Sequence, residues 1–350
     1  MLWTCRERWR RGTGGKTMAG VTLKKLAELS GLSIRTVNRV LKNQGEVSPE
    51  KCELIRKLAA QYRYVPNIAA RNFRLRRKNI VGVLTYERLS IESHLQKIAE
   101  LERQLIAAGY YPVIGCTQAR ATARILEEWN GTVDFIGSVQ HPQDPDGLAP
   151  LDNLPYQFIF VDCPADPRHH RIAVNRETGI AAAYECLLEA GCRRIVHCGK
   201  PGLREPLVKR CIATLGDRAE FRHIRTERSE LEDGFASGAA IIRSGADAVF
   251  FDTDRMAVGF YRYAWAHRIR IPDDISVVGF DDDSVAGVLP PPLSTVAHPV
   301  EEISRAIMEI VAAPPAAPVT RTLDTRFVRR DSIRRSDGGR LKTPLRTDIL

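Results

Sequence analysis

The sequence predicts an all-α helix-turn-helix headpiece, followed by a two-lobed α/β core of parallel sheets flanked by helices. Three observations carry this reading. Two short helical patterns meet across a single Gly-Leu-Ser in "LKKLAELSGLSIRTVNRVLKNQG", residues 23–45. The formal net charge of +10 is confined to one end: residues 1–78 hold 19 Lys or Arg against 5 Glu, whereas the other 272 residues hold 33 against 37 acidic side chains. From residue 79 onward, short apolar runs alternate with helical patterns. A chain of 350 residues is too long for one core, and 44% hydrophobic residues place it among soluble globular proteins. A basic excess at one end fits a chain that meets a polyanion there.

In the first helix Leu23, Leu26 and Ala27 recur at i, i+3, i+4, with Thr22 placed to cap it. Gly31 suits a left-handed turn, Leu32 plugs the core and Ser33 can cap the second helix. There Val37, Val40 and Leu41 face inward, leaving Ile34, Arg35, Thr36, Asn38 and Arg39 facing out. Such a pair is a helix-turn-helix, whose second helix lies in the major groove. Arg can donate two hydrogen bonds to guanine and Asn can pair with adenine. The plainer alternative is a helical hairpin with a solvated basic face. "SPEKCELIRKLAAQYRYVPN" predicts a third helix, with Ser48 as cap, Pro49 at the first helical position and Glu50 at the positive end of the dipole. Leu54, Ile55, Leu58 and Ala59 supply its core stripe.

Beyond residue 79, "NIVGVLTY", "YYPVIGCT", "VDFIGSV" and "YQFIFVD" read as strands, with "ESHLQKIAELERQLIAAG" and "ARATARILEEW" as helices between the first pairs. After "IAVN" the alternation restarts: helix 177–190, strand "RIVHCG", helix near 203–215, strand "FRHIRT", helix 229–243, strand "ADAVFFD", helix 255–267, strand "ISVVGFDD". Two runs of βα units predict two lobes, each a parallel sheet covered on both faces, with ligands at the carboxyl ends of the strands.

The eight cysteines are scattered without C-x-x-C spacing, as expected of reduced thiols packed as small hydrophobes. Cys192, His197 and Cys198 do not make a metal set, because His197 and Cys198 alternate faces in a strand. No Gly-rich dinucleotide fingerprint or P-loop is present, and "GKPG" at 199–202 has the spacing of neither; no cofactor is expected. No apolar run approaches the roughly 18–20 residues of a membrane span, so no membrane partner is expected. Residues 1–20 lack the apolar stretch of a secretory signal; either they form a disordered basic leader or Met18 is the start.

At this point the resemblance is specific. "VTLKKLAELSGLSIRTVNRVLK…VSPE…YVPNIAARNFR" resembles the DNA-binding headpiece and hinge of the LacI/GalR family of bacterial repressors. "FDTDRMAVGFYRYAWAHRIRIPDDISVVGFDDDSVAGVLPPPLSTV" and "TRFVRRDSI" resemble its periplasmic-binding-protein-like core. The resemblance spans about residues 21–334 and implies a headpiece at 21–66 and a hinge at 67–78. It implies one lobe of about 79–174 with 299–322, a second of about 175–293 with 323–334, and a tail at 335–350.

What the family implies is a cytoplasmic, nucleoid-associated transcriptional regulator that binds double-stranded operator DNA as a homodimer. The C-terminal end has no leucine heptad, which in the family accompanies tetramers. The DNA contacts implied are Thr22, Ser33, Ile34, Arg35, Thr36, Asn38 and Arg39, with Asn67, Ala70, Arg71 and Phe73 in the hinge. Phe73 stands where the family has an intercalating leucine. The implied effector, a sugar or related small molecule between the lobes, would meet Asp162, Thr253, Arg255, Asp281 and His298. The family's ligand-gripping arginine precedes a glycine-aromatic pair; "LREPLVKRCIATL" has no such pair, and Lys209 or Arg210 is the nearest cation. Asp254 either meets a ligand or caps a helix. Three rivals stand beside this reading: a periplasmic binding protein, which needs a signal peptide and leaves the headpiece idle; a regulator answering to a protein partner or to no effector; and an enzyme using "FDDDS" as a metal-carboxylate cluster. No nucleophile–base pair accompanies that cluster, so no enzyme is expected.

Overall fold

The computed structural model describes residues 21–41, 47–62, 64, 79–86, 92–117, 122–129, 133, 135–138, 157–162, 168–202 and 204–335. It divides into two compact units, Met1–Lys78 and Asn79–Leu350. The predicted hinge, with Asn67, Ala70, Arg71 and Phe73, lies outside the described residues, as do the leader and most of the tail.

The first unit contains α1 (Leu23–Ser30), α2 (Ile34–Leu41) and α3 (Pro49–Gln61). Leu26, Ala27, Val37, Val40 and Ile55 bury a small core, with Leu32, Leu58, Ala59 and Tyr64 packed against it. Two expectations about α3 need correction. Leu54 is 43% exposed, because the stripe Ile55-Leu58-Ala59 already fills the inward face and Leu54 lies about 100° round from its neighbour. Ser48 makes no side-chain cap; its carbonyl accepts from Cys52 N at 3.1 Å, and Pro49, having no N–H, leaves one donor fewer to satisfy.

The second unit holds two six-stranded sheets. The first combines β1 (Ile80–Tyr86), β2 (Tyr111–Thr117), β3 (Phe135–Ser138), β4 (Gln157–Val161), β5 (His170–Asn175) and β11 (Thr320–Asp324), in the order β11-β5-β4-β3-β1-β2, every pair parallel. The second combines β6 (Arg194–Gly199), β7 (Glu220–Arg225), β8 (Ala248–Phe251), β9 (Ser276–Asp281), β10 (Ser294–Ala297) and β12 (Arg326–Val328). Its order is β12-β10-β9-β8-β6-β7, parallel except for the edge strand β12, which runs antiparallel to β10. The helices are α4 (Glu92–Ala107), α5 (Thr122–Trp129), α6 (Glu177–Glu189), α7 (Arg204–Leu215), α8 (Leu231–Arg243), α9 (Asp254–Ala266) and α10 (Val300–Ala312). β8 and β9 are buried at every position, as central strands of a sheet covered on both faces must be.

The chain passes between the sheets three times: after β5, after β10 and after β11. Helix α10 returns to the first lobe, where Ile303, Ala306, Ile307 and Ile310 pack with Val81, Leu101 and Ile159. The first and third crossings are tied side by side. Thr325 N donates to Asn175 O at 3.0 Å, Asn175 Nδ2 donates to Asp324 Oδ1 at 2.7 Å, and Gly179 N donates to Thr325 Oγ1 at 3.1 Å. Gly179 is required there, since a Cβ would stand 2.5 Å from Val296 and 2.6 Å from Thr325 Oγ1.

Candidate functional site

The headpiece surface is built by its caps. Thr22 Oγ1 accepts from Lys25 N at 3.2 Å and starts α1. Gly31, at φ +65°, stops α1 with its N–H on the carbonyls of Ala27 and Glu28. Ser33 Oγ then accepts from Thr36 N at 3.1 Å and starts α2 three residues later. Anchored by fully buried Val37 and by Val40, α2 turns Ile34, Arg35 and Arg39 outward to exposed positions. Thr36 and Asn38 are half-buried, Thr36 sharing a hydrogen bond with Ser33 at 2.8 Å. A short exposed helix face with two guanidiniums and an amide has the donors that read base edges.

The second cluster forms where the two lobes of the core face each other. Asp162 follows β4 directly with φ +61°, and Asp281 ends β9 with φ +112°. Arg176, at the first crossing, forks onto Asp162: Nη1 donates to Oδ1 at 2.8 Å and Nη2 donates to Oδ2. Burial pushes the Asp162 carboxyl up, but the charge and hydrogen bonds of Arg176 override it and hold the group below its ordinary value. Asp281 accepts from Arg204 Nη2 at 3.0 Å and lies 3.3 Å from His298 Nε2. Burial again pushes upward, and Arg204 and His298 together hold Asp281 low. Arg204 also donates from Nη1 to Asp252 O at 2.5 Å and stacks 4.1 Å over the Phe280 ring.

Two histidines and a lysine complete the group. Burial, with the charge of Lys97, depresses His298 to about 4 and His94 to about 4, so both imidazoles are neutral near pH 7. Lys97, on the inward stripe of α4, is 3% exposed, and burial depresses its ammonium to about 8. The first lobe meets the second through the same helix: Ser284 N donates to Glu92 Oε1 at 2.8 Å, and Gln96 Nε2 to Asp282 O at 3.4 Å.

The structure thus brings Asp162, Asp281 and His298 into one cleft and leaves the other predicted effector contacts elsewhere. Lys209 is 64% exposed and pairs with Glu205 at 2.9 Å, alongside Arg225. The cation that reaches the cleft is Arg204, five residues earlier in "LREPLVK", with Arg176 and Lys97, none of which the sequence reading selected. The Thr253 hydroxyl caps α9 by accepting from Met256 N and donates to Ser229 O at 3.1 Å. Arg255 pairs with Glu230 at 2.9 Å. Asp254 is not the cap, since Thr253 takes that place. Its two oxygens instead accept from Thr295 Oγ1 at 2.6 Å and Asp283 N at 2.8 Å, and burial drives its pKa well above the ordinary range.

Elsewhere in the second lobe, His197 is held between Tyr184 (3.3 Å) and Asp252 (3.1 Å) in a buried polar chain. The Cys192 and Cys198 thiols, in separate parts of the core, are pushed by burial to about 11 and about 12. Among the described residues no group of three or more His, Cys, Asp or Glu is arranged to hold a metal ion, and no helix is long and apolar enough to cross a membrane.

A helix-turn-helix headpiece and a two-lobed ligand-binding-type core stand on one chain, and each matches a described family. The family description "Bacterial regulatory proteins, lacI family" matches residues 22–67, and "Periplasmic binding protein-like domain" matches residues 184–333. The chain thus carries a lacI-type DNA-binding region followed by a periplasmic-binding-protein-like region. It is 25% identical over 347 residues to the "Probable HTH-type transcriptional repressor ExuR" of Bacillus subtilis (strain 168), covering 90% of this chain and 99% of that one. Its fold is shared with a lac repressor dimer bound to operator and the anti-inducer ONPF (TM-score 0.68, 22% identity, 90% of this chain and 99% of that chain). It is shared too with a complex of the transcriptional regulator CelR with cellobiose (TM-score 0.61, 22% identity, 89% and 99%).

Proposed function

We propose that this chain is a repressor that docks as a homodimer on a pseudo-palindromic operator, and that a small effector in the interlobe cleft alters its grip. The observation that carries the DNA reading is the two-sided character of α2, with Val37 and Val40 sealed in the core and Ile34, Arg35 and Arg39 exposed. In this reading Arg35, Asn38 and Arg39 face base edges, while Thr22 and Ser33, already committed as caps, contact phosphates through their remaining hydroxyl capacity. Asn67, Ala70, Arg71 and Phe73 belong to a hinge that enters the minor groove, with Phe73 as the wedge. The site of action is the nucleoid, in the cytoplasm.

Asp162, Asp281 and His298, with Arg176 and Arg204, form the effector end. Carboxylates and guanidiniums at strand ends suit ligand hydroxyls, and the CelR complex shows this fold holding a sugar. Arg35→Ala tests the DNA assignment. It costs about 1–3 kcal/mol and relaxes preference at one base pair, read by ranking operator variants in a binding assay. An unchanged ranking contradicts Arg35 as a base reader.

A further inference from the structure

We infer that the effector of this protein is an anion, a hydroxyl-bearing carboxylate or phosphate whose negative charge is received by Lys97. The inference deepens the effector reading above and rests on it. Its starting point is a buried ammonium that no carboxylate pairs with. Among the charged groups that act on one another around Lys97 are Arg176, Arg204, Asp162 and Asp281. The two arginines are matched to the two carboxylates, Arg176 to Asp162 and Arg204 to Asp281. Lys97 is the third cation, and His94 and His298 beside it are neutral. Of the neighbouring acids, Asp282 is taken by Arg330 at 2.6 Å, and the charged groups acting most on Asp283 are Asp281, Glu92 and Arg255. Among the described residues Lys97 has no hydrogen-bond or ion-pair partner, although it is 3% exposed. A lysine is almost never fully buried unless paired, because water is its only other source of acceptors.

The unmet hydrogen-bonding capacity around it has the same meaning. Arg176 Nε, Arg204 Nε and His298 Nδ1 are buried without partners, as are His94 Nδ1 and, at the carboxyl end of β1, Thr85 Oγ1. A neutral His298 that donates from Nε2 to Asp281 leaves Nδ1 as an acceptor, which a ligand hydroxyl satisfies. The two guanidinium Nε–H groups are donors and call for ligand oxygens. Fixed donors, an acceptor and an ammonium that no carboxylate pairs with, gathered between two lobes, describe the site of a polyhydroxylated monoanion. A neutral sugar would satisfy the hydrogen bonds and leave the ammonium unmatched.

The test is titration calorimetry on the full chain with three matched probe sets. These are sugar acids (D-gluconate and D-glucuronate with their galactose and mannose counterparts), the corresponding hexose 6-phosphates, and the neutral hexoses. The expected result is heat with one of the two anionic sets, and binding at least about tenfold weaker for its neutral counterpart. Which anionic set binds separates carboxylate from phosphate. Lys97→Met and Lys97→Gln lower affinity for that anion about tenfold or more, weaken any neutral-sugar binding by clearly less, and raise the thermal midpoint of the unliganded protein. Equal or tighter binding of the neutral counterpart overturns the inference, as does undiminished anion binding by both variants. Absence of heat with every probe overturns the cleft reading as well, whereas tight binding confined to neutral sugars overturns the anion assignment alone.

Discussion

A buried ammonium without a counter-ion weakens the fold that holds it, and this is measurable without knowing the ligand. The folded-state pKa of Lys97 is depressed to about 8, below the ordinary lysine value, so the protein carries the cost of its charge at neutral pH. Lys97→Met should therefore raise stability at pH 7, and the gain should shrink as pH rises from about 8 toward the ordinary lysine range, where wild type is neutral in both states. Urea denaturation at pH 7 and pH 9.5 reads the difference. The opposite holds for Arg204: Arg204→Met leaves Asp281 buried beside a neutral imidazole and should cost about 3 kcal/mol in the same assay. Asp162, Asp281 and His298 were legible in the sequence because polar residues closing apolar strands stand out. Lys97 was not, because "HLQKIAELERQL" reads as an amphipathic helix whose cations are solvated. Arg204 was hidden because "LREPLVKRCIATL" lacks the glycine-aromatic pair that flags the family's arginine, which drew the choice to Lys209 and Arg210.

Elements with a strong period were readable, and those set by tertiary contacts were not. The alternation of strands and helices from Ile80 to Asp281 follows runs that only a parallel sheet buries on both faces. β11 and β12 are different: like the edge strand β7 they have no buried residue, but they stand outside the βα alternation, so only their neighbours in the sheets make them strands. In the headpiece the tight turn was visible as a single glycine. Gly31→Val imposes a β-branched residue on φ +65° and should destabilise the turn by about 1–2 kcal/mol. Hydrogen exchange on the full chain should show faster exchange in α1 and α2, with operator affinity falling in step. Protection equal to wild type contradicts the account of how α2 is aimed.

Across the whole molecule, the effector cluster lies beside the crossings that join the lobes. Arg176 follows Asn175 at the first crossing, and His298 follows β10 at the second. Asn175 is locked to Asp324 and Thr325 of the third. A ligand drawing on both lobes there favours one lobe arrangement by its differential affinity, typically about 1–3 kcal/mol of coupling. Asp324→Ala releases the Asn175 lock and should shrink the effector's shift in operator affinity while sparing affinity without effector, measured by anisotropy titrations with and without ligand. The three crossings themselves were expected only from family resemblance, since nothing local in "IAVN" or "STVAHP" marks a change of sheet. The most direct test of the central claim is selection of bound fragments from a random duplex library, followed by nuclease protection of the recovered site. The account predicts one pseudo-palindromic sequence, protected on both half-sites, with affinity that falls as salt rises but still favours that sequence. Uniform attachment to every duplex, erased by moderate salt and leaving no protected site, contradicts it.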